Sequence, residues 1–420
     1  RLRCVESIHA PTNQYRQLRP NLAVGSRHQI RPLSRPNYLV AMFAFPQPST
    51  KAASRCLCTF LAIALVACST SLPEQSLYVA HFGTQPETEV LAERVANDWV
   101  IRNGEERIVL RHLGEELYAV PVFGGSWKGQ WEGEEWRGHW TDSLRPGDYR
   151  VPLTLTPVLN TRPTKGSKIA SRWATSEGTL LLQTREDSVW ATISTPTGDY
   201  RYLAGKKTHN TLIFNTFDGA HLFRFSATLK GDSLIHGSFL SGTHYKTSFD
   251  GVLATDKGEG WTSGQQAFNG AEMALTGVNA IGDTITWNRS SLGAAGKSGL
   301  VVDVMGTWCP NCMDEARLLA ELAPRHPDVQ FVSLAFERNT DAHILPRLAQ
   351  FQEALQLSWD VLLGGKASKR IAADCLGVVD TVHSFPTTVF WAPGSDPVIH
   401  TGFNGPATGE GYVVERAFVG

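Results

Sequence analysis

The stretch "VVDVMGTWCPNCMDE", residues 301–315, decides how the last third of this 420-residue chain folds. It opens as a continuous apolar run, the pattern of a strand buried on both faces. Two cysteines follow, Cys309 and Cys312, and "CMDEARLLAELA" (312–323) continues with helical spacing, Ala316, Leu319, Ala320 and Ala323 on one side. Cys309 therefore stands at the mouth of a helix. A helix N-terminus carries partial positive charge and free N–H groups, which stabilise a thiolate and lower a thiol pKa. Cys312 lies one turn inward, close enough to form a disulfide with Cys309. Pro310 takes the first helical position, where no N–H is needed. Trp308 would shape an apolar docking surface beside the outer sulfur. The pattern points to thiol–disulfide exchange, in which Cys309 attacks a disulfide and Cys312 resolves the mixed disulfide.

Other readings of the pair stay open beside this one. A zinc site needs a second ligand pair, and Cys375, His326, His343, His383 and His400 show no such spacing. A purely structural disulfide seldom sits at a strand-to-helix junction. A peroxidatic cysteine works through one lone thiolate, whereas here a second cysteine lies within one turn. The dithiol is favoured, with no metal and no bound cofactor, because the cysteines themselves carry the electrons.

Outward from this stretch the α/β alternation continues. "VQFVSLAF" reads as a buried strand, "AHILPRLAQFQEAL" as a helix with Pro346 tolerable in its first turn, and "WDVLLGG" as a short strand. "ASKRIAADCL" reads as a short helix, "TTVFWA" and "PVIHTG" as a closing hairpin, and a last helix begins near Glu410. Upstream, the Gly- and Asn-rich segment 255–281 reads as a linker, and a short hairpin in "AIGDTITW" (280–287) lies at the entry to the last domain.

Taken with "SFPTTVF" (384–390), the opening stretch resembles the thioredoxin fold, and within it the TlpA/ResA-type membrane-anchored thiol-disulfide reductases. The resemblance covers residues 282–420. It implies that Pro386 is cis and packs against the dithiol, and that the backbone of Phe385 pairs with substrate; Trp308 and Pro310 complete the substrate-facing surface. It implies that Asp303, six residues before Cys309, and Glu315, three after Cys312, handle protons, burial raising their pKa values toward neutrality. Asp314 reads as plain helix surface, Glu337 stands at a strand C-terminus where α/β sites gather, and Cys375 reads as a buried cysteine on a short helix.

Between residues 77 and 254 short apolar-alternating runs such as "RIVLRHL", "SVWATIS" and "TLIFNTF" alternate with Gly, Asp and Asn turns. They predict an antiparallel all-β sandwich or barrel domain, with a helical interruption at "TEVLAERVAND". An internal repeat pairs "GEEWRGHW" (133–140) with "GDSLIHGSF" (231–239), "VPVFGG" with "IFNTFDG", and "IRNGEERIVL" with "YLAGKKTHNTLIF". It predicts two β-meander halves facing each other around one core. Trp127, Trp131, Trp136 and Trp140 read as core and rim, and His221, His236 and His244 fall on separate strands. The region faintly resembles the β-rich segments that precede TlpA-like domains in some bacterial lipoproteins.

The net charge of −1 gives no pull toward nucleic acid. The seven cysteines form no regular framework, which excludes a disulfide-stapled scaffold. Residues 1–41 read as non-native or disordered. Residues 42–67 read as a signal peptide, with "KAASR" as its positive region and "CLCTFLAIALVA" as its apolar core. That segment ends in "LVAC", which resembles a lipobox, implying lipid attachment at Cys68 followed by a polar tether, 68–76. The expectation is a lipid-anchored protein on the periplasmic side of a bacterial membrane. It would reduce disulfides of exported proteins with electrons from a membrane thiol donor. A thiol peroxidase, and a cell-envelope β-module for binding with an accessory redox domain, are the alternatives.

Overall fold

The computed structural model describes residues 75–145, 147–158, 171–254 and 264–420. The expectations for residues 1–41, the signal peptide and Cys68 fall outside the described residues, as does all but the end of the tether. Among the described residues no helix is long and apolar enough to cross a membrane.

Strands β1 (Gln75–Phe82) to β8 (Arg150–Pro157) run antiparallel, neighbour to neighbour, and β1 pairs with β8, so the sheet closes into a barrel. Alternation fills its interior: Tyr78, Ala80 and Phe82 point inward from β1 while Val79 and His81 are less buried. Trp99, Trp127, Trp136 and Trp140 are wholly buried there; an eight-stranded barrel is just wide enough for side chains to fill. Trp131 packs against the core only partly buried. The segment "TEVLAERVAND" is not helical. It forms β2 (Thr88–Val95) and a turn at Ala96, whose φ is 51°. Inward packing of Thr88, Val90 and Ala92 outweighs the helix propensity of its Leu, Ala and Glu residues. Glu93 is buried because Arg102 on β3 (Asp98–Asn103) donates to it over 2.8 Å.

The second half of the β region closes separately. The strands β9 (Ser171–Thr175), β10 (Gly178–Arg185), β11 (Ser188–Thr195), β13 (Leu203–Thr208), β14 (Thr211–Phe217), β15 (Leu222–Lys230), β16 (Ser233–Ser241) and β17 (Tyr245–Leu253) pair in a ring, because β10 bonds to both β9 and β11. The two-residue β12 (Gly198–Asp199) hangs from β11. This ring has its own core around Leu212, Phe214, Phe225, Leu234 and Phe239. The repeat thus marks two barrels, each with its own interior, rather than two halves of one. Eight strands suffice to close a ring, so neither copy needs the other for closure. The paired turn glycines occupy equivalent hairpins, Gly133 (φ 66°) between β6 (Gly125–Glu132) and β7 (Glu135–Asp142), and Gly231 (φ 58°) between β15 and β16. The further match of "IRNGEERIVL" with "YLAGKKTHNTLIF" slips by one strand. It equates the third and fourth strands of the first ring with the fourth and fifth of the second. Phe217, at the end of β14, joins the first barrel's core, with ring centroids 5.2 Å from Phe82 and 5.4 Å from Trp127.

The third sheet has eight strands in the order β18-β25-β24-β21-β22-β23-β19-β20. Its centre is β21 (Gly299–Met305), buried at every position, parallel to β22 (Val329–Glu337), which is parallel to β23 (Val361–Lys366). On the other side β24 (Thr387–Trp391) and β25 (Val398–Thr401) run antiparallel. Helices α2 (Pro310–Leu322) and α3 (Ile344–Ala354) contribute Ala316, Leu319, Leu348 and Phe351 to the core on one face. Helices α1 (Arg289–Ala294) and α4 (Lys369–Leu376) contribute Leu292, Ala372 and Leu376 to the core on the other. Three parallel strands, a C-terminal antiparallel hairpin and helices on both faces make a thioredoxin-like arrangement. The expected linker is shorter than 255–281. Strand β18 (Gly264–Gln266) pairs with β25, and β19 (Ala274–Val278) forms a hairpin with β20 (Thr284–Asn288) and touches β23. The sheet therefore begins at Gly264. Met273 and Leu275 anchor it by burial, which a Gly- and Asn-rich composition hides.

Candidate active site at the head of α2

The all-apolar strand β21 ends at Met305, and the chain turns through Gly306, Thr307 and Trp308 into α2. Gly306 is required there, since a Cβ would lie 2.7 Å from Trp308 Cε2 and 2.9 Å from the Phe336 carbonyl oxygen. Two anchors hold the turn. Thr307 donates from its backbone N–H and its hydroxyl to the two oxygens of Glu337, over 2.7 and 2.9 Å, and Trp308 Nε1 donates to the Phe336 carbonyl over 2.9 Å. Glu337, at the end of β22, is fully buried, and burial raises its pKa against the lowering by Thr307 and Arg347. Its carboxylate fixes the loop that precedes the cysteines.

Cys309 is the N-cap of α2, and its sulfur accepts from the Cys312 backbone N–H over 3.2 Å. Pro310 takes the first helical position. Cys309 and Cys312 form a disulfide with Cα atoms 5.3 Å apart. Cys312 is wholly buried and Cys309 is 6% exposed, so Cys309 carries the outer sulfur. The Phe385–Pro386 peptide is cis, and the Phe385 carbonyl oxygen stands 3.6 Å from Cys309 Sγ. The Phe385 ring meets Trp308 edge to face at 5.7 Å, and the Arg338 guanidinium lies 4.2 Å over the Trp308 ring. Cys309, Cys312, Trp308, Pro310, Phe385 and Pro386 thus lie together, although the last two follow the cysteines by more than two helices and two strands of chain.

Below the disulfide the interior holds two carboxyl groups. Glu315, one turn beyond Cys312 on the same helix face, is wholly buried and accepts from Thr388 Oγ1 over 2.8 Å. Asp303 on β21 accepts from Ser333 Oγ over 3.0 Å. Each keeps one buried oxygen without a hydrogen-bond partner, Glu315 Oε2 and Asp303 Oδ1. Burial pushes Asp303 up to about 7; burial and then the charge of Asp303 hold Glu315 well above the carboxylate range. A carboxyl group in that state can accept or deliver a proton near neutral pH. Cys375 is buried on α4.

The structure corrects the reading of Asp314. It is not plain helix surface: its side chain is 11% exposed, and Oδ2 pairs with Arg201 Nη1 at 3.2 Å. Arg201 follows β12 of the second barrel and also donates from Nη1 to the Pro310 carbonyl over 2.9 Å. Its remaining edge pairs with Glu106 of β4 (Glu106–His112) in the first barrel. Asn311 Nδ2 donates to the Asp199 carbonyl over 2.9 Å. Burial, then the charge of Asp314, pushes Asp199 up to about 7. Asp199, Arg201 and Asn311 share the lining of one cavity of about 270 Å³. Sequence reasoning missed Arg201, Asp199 and Glu106 because no motif marks them.

No protein-family profile and no curated protein matches this chain. Solved structures match about a third of it. A secreted disulfide oxidoreductase of Mycobacterium tuberculosis, described as homologous to E. coli DsbE, is 19% identical over 34% of this chain and 95% of its own, with a TM-score of 0.25. The thioredoxin domain of a thiol-disulfide oxidoreductase from Bacteroides vulgatus is 16% identical over 37% of this chain and 99% of its own, with a TM-score of 0.27. A thiol:disulfide interchange protein of the thioredoxin family from Chlorobium tepidum is 19% identical over 34% and 94%, with a TM-score of 0.25.

Proposed function

We propose that this protein is a thiol–disulfide oxidoreductase that reduces protein disulfides through Cys309 and Cys312. The observation that carries the reading is the setting of the Cys309 sulfur, between the Cys312 N–H at the start of α2 and the Phe385 carbonyl beside cis-Pro386. A thiolate there has the Cys312 N–H as a donor on one side and the Phe385 backbone carbonyl on the other. An extended substrate segment can use that backbone as a strand uses its neighbour.

In the reduced protein the Cys309 thiolate attacks one sulfur of the substrate disulfide. The second substrate sulfur leaves as a thiolate and takes up a proton, and a mixed disulfide with Cys309 remains. The Cys312 thiol gives its proton to the Asp303–Glu315 pair and attacks the Cys309 sulfur, which expels the first substrate sulfur as a thiolate. Two electrons pass from the dithiol to the substrate, and the Cys309–Cys312 disulfide is the product on the enzyme. An external thiol donor restores the dithiol, so no bound cofactor takes part. Trp308 and Pro310 shape the surface that receives the substrate. We place the protein at the periplasmic side of a bacterial membrane, anchored by lipid on Cys68. Its substrates there are exported proteins and its electron source is a membrane thiol donor; this rests on the signal-like segment 42–67 and "LVAC".

Replacing Cys309 with Ser should lower insulin reduction by roughly 1,000-fold or more under dithiothreitol, since the attacking thiolate is lost, and Cys312→Ser should trap mixed disulfides. Insulin reduction by Cys309→Ser at the wild-type rate would sink the proposal.

A further inference from the structure

The two residues between the cysteines are held from outside the thioredoxin-like unit. Arg201 of the second barrel donates to the Pro310 carbonyl, and Asp199 beside it accepts from Asn311. Glu106 of the first barrel braces Arg201 from behind, Asp314 of α2 pairs with it from the front, and the Arg201 side chain is only 5% exposed. Arg201 also sits at φ 58°, a left-handed conformation that a non-glycine residue keeps only where its surroundings over-determine it. Dithiol chemistry by itself requires none of these contacts.

We infer that Arg201 is a positioning residue for the exchange reaction: it fixes the first turn of α2 and sets the reduction potential of the Cys309–Cys312 pair. The inference rests on the dithiol reading above. A buried guanidinium on the Pro310 carbonyl stops the first turn from rotating, which keeps the Cys312 N–H directed at Cys309 Sγ. The same guanidinium places positive charge on the carbonyl of the residue that follows Cys309, within the first turn of α2, and Glu106 and Asp314 oppose that charge. Stabilising the thiolate stabilises the reduced form and raises the potential. Loss of Arg201 therefore makes the pair more reducing, and loss of the Glu106 charge makes it more oxidising. The β barrels on this view are part of the redox centre rather than a separate binding module.

The test equilibrates the full chain with glutathione buffers and follows the dithiol fraction together with the Cys309 thiol pKa. Far-UV circular dichroism checks the fold of each variant. Arg201→Met should shift the equilibrium about tenfold toward the disulfide, close to 30 mV for a two-electron couple, and raise the Cys309 pKa. Glu106→Gln should shift it severalfold toward the dithiol. Arg201→Lys, which keeps the charge but not the guanidinium fork, should shift the equilibrium in the same direction as Arg201→Met but by less. Shifts of the same sign in Arg201→Met and Glu106→Gln, or none in either, overturn the inference. If Arg201→Met does not fold, Glu106→Gln decides alone: a shift toward the dithiol supports the inference, and any other result overturns it. A wild-type pair that fails to equilibrate with glutathione overturns the dithiol reading itself, a result distinct from unmoved variants.

Discussion

Asp303 and Glu315 sit in the interior with one unpartnered oxygen each, and that fixes how stability depends on pH. Burial raises the Asp303 pKa from 3.8 to about 7. Below the unfolded value both states hold the proton, and the group contributes nothing to the pH dependence. Above it the unfolded chain releases the proton while the folded chain keeps it, so stability falls as pH rises toward the folded value. The slope is roughly 1 kcal/mol per pH unit for each such proton. Asp303→Asn should therefore flatten the decline in the urea midpoint between about pH 5 and pH 7, and an unchanged slope would show that Asp303 ionises freely in the folded state. At this scale the legible residues were those whose chemistry is local. Cys309, Cys312, Pro310 and Glu315 share one helix start, so spacing alone places them. Arg201 was not legible, because its partners Glu106 and Pro310 lie 95 and 109 residues away in sequence. Asp314 looked like surface for the same reason: an acid on a helix reveals nothing of a distant guanidinium.

Elements are limited by how closely their backbones approach. On β6 and β7, Gly129 faces Gly138, and a Cβ on Gly138 would lie 2.6 Å from the Gly129 Cα and collide with the Lys128 carbonyl. Backbone atoms cannot yield as a flexible side chain can. Gly138→Ala should cost about 1–3 kcal/mol, seen as a lower urea midpoint with an unchanged slope; an unmoved midpoint would contradict this close approach of the two strands. The strands themselves were mostly readable, since alternating apolar residues report a half-buried strand whatever the topology. Segment 88–98 misled because Leu, Ala and Glu favour helix, and only the barrel interior imposes period two on it. That each copy of the repeat closes alone was not readable either. Closure is decided by the pairings of β1 with β8 and of β9 with β17, and turn glycines do not encode them.

At the scale of the whole molecule the two barrels are stitched by buried hydrogen bonds. Asn103 Nδ2 donates to the Phe217 carbonyl over 3.0 Å, and its Oδ1 accepts from the Phe217 N–H at 3.4 Å. Asn103→Ala strands both backbone groups and should cost about 2–4 kcal/mol. Tryptophan fluorescence, to which the first barrel contributes five of the twelve tryptophans, should then begin to change at a lower urea concentration than far-UV circular dichroism. In the wild type the two should coincide, and coincidence in the variant as well would refute this coupling. The rings also set an order of events during synthesis. Each is contiguous in sequence, and chains emerge N-terminus first, so domains form in that order. Both barrels can close before residue 264 leaves the ribosome. Arg201 and Glu106 are then already in place when Cys309 and Cys312 arrive, and the nascent redox loop folds onto a finished template.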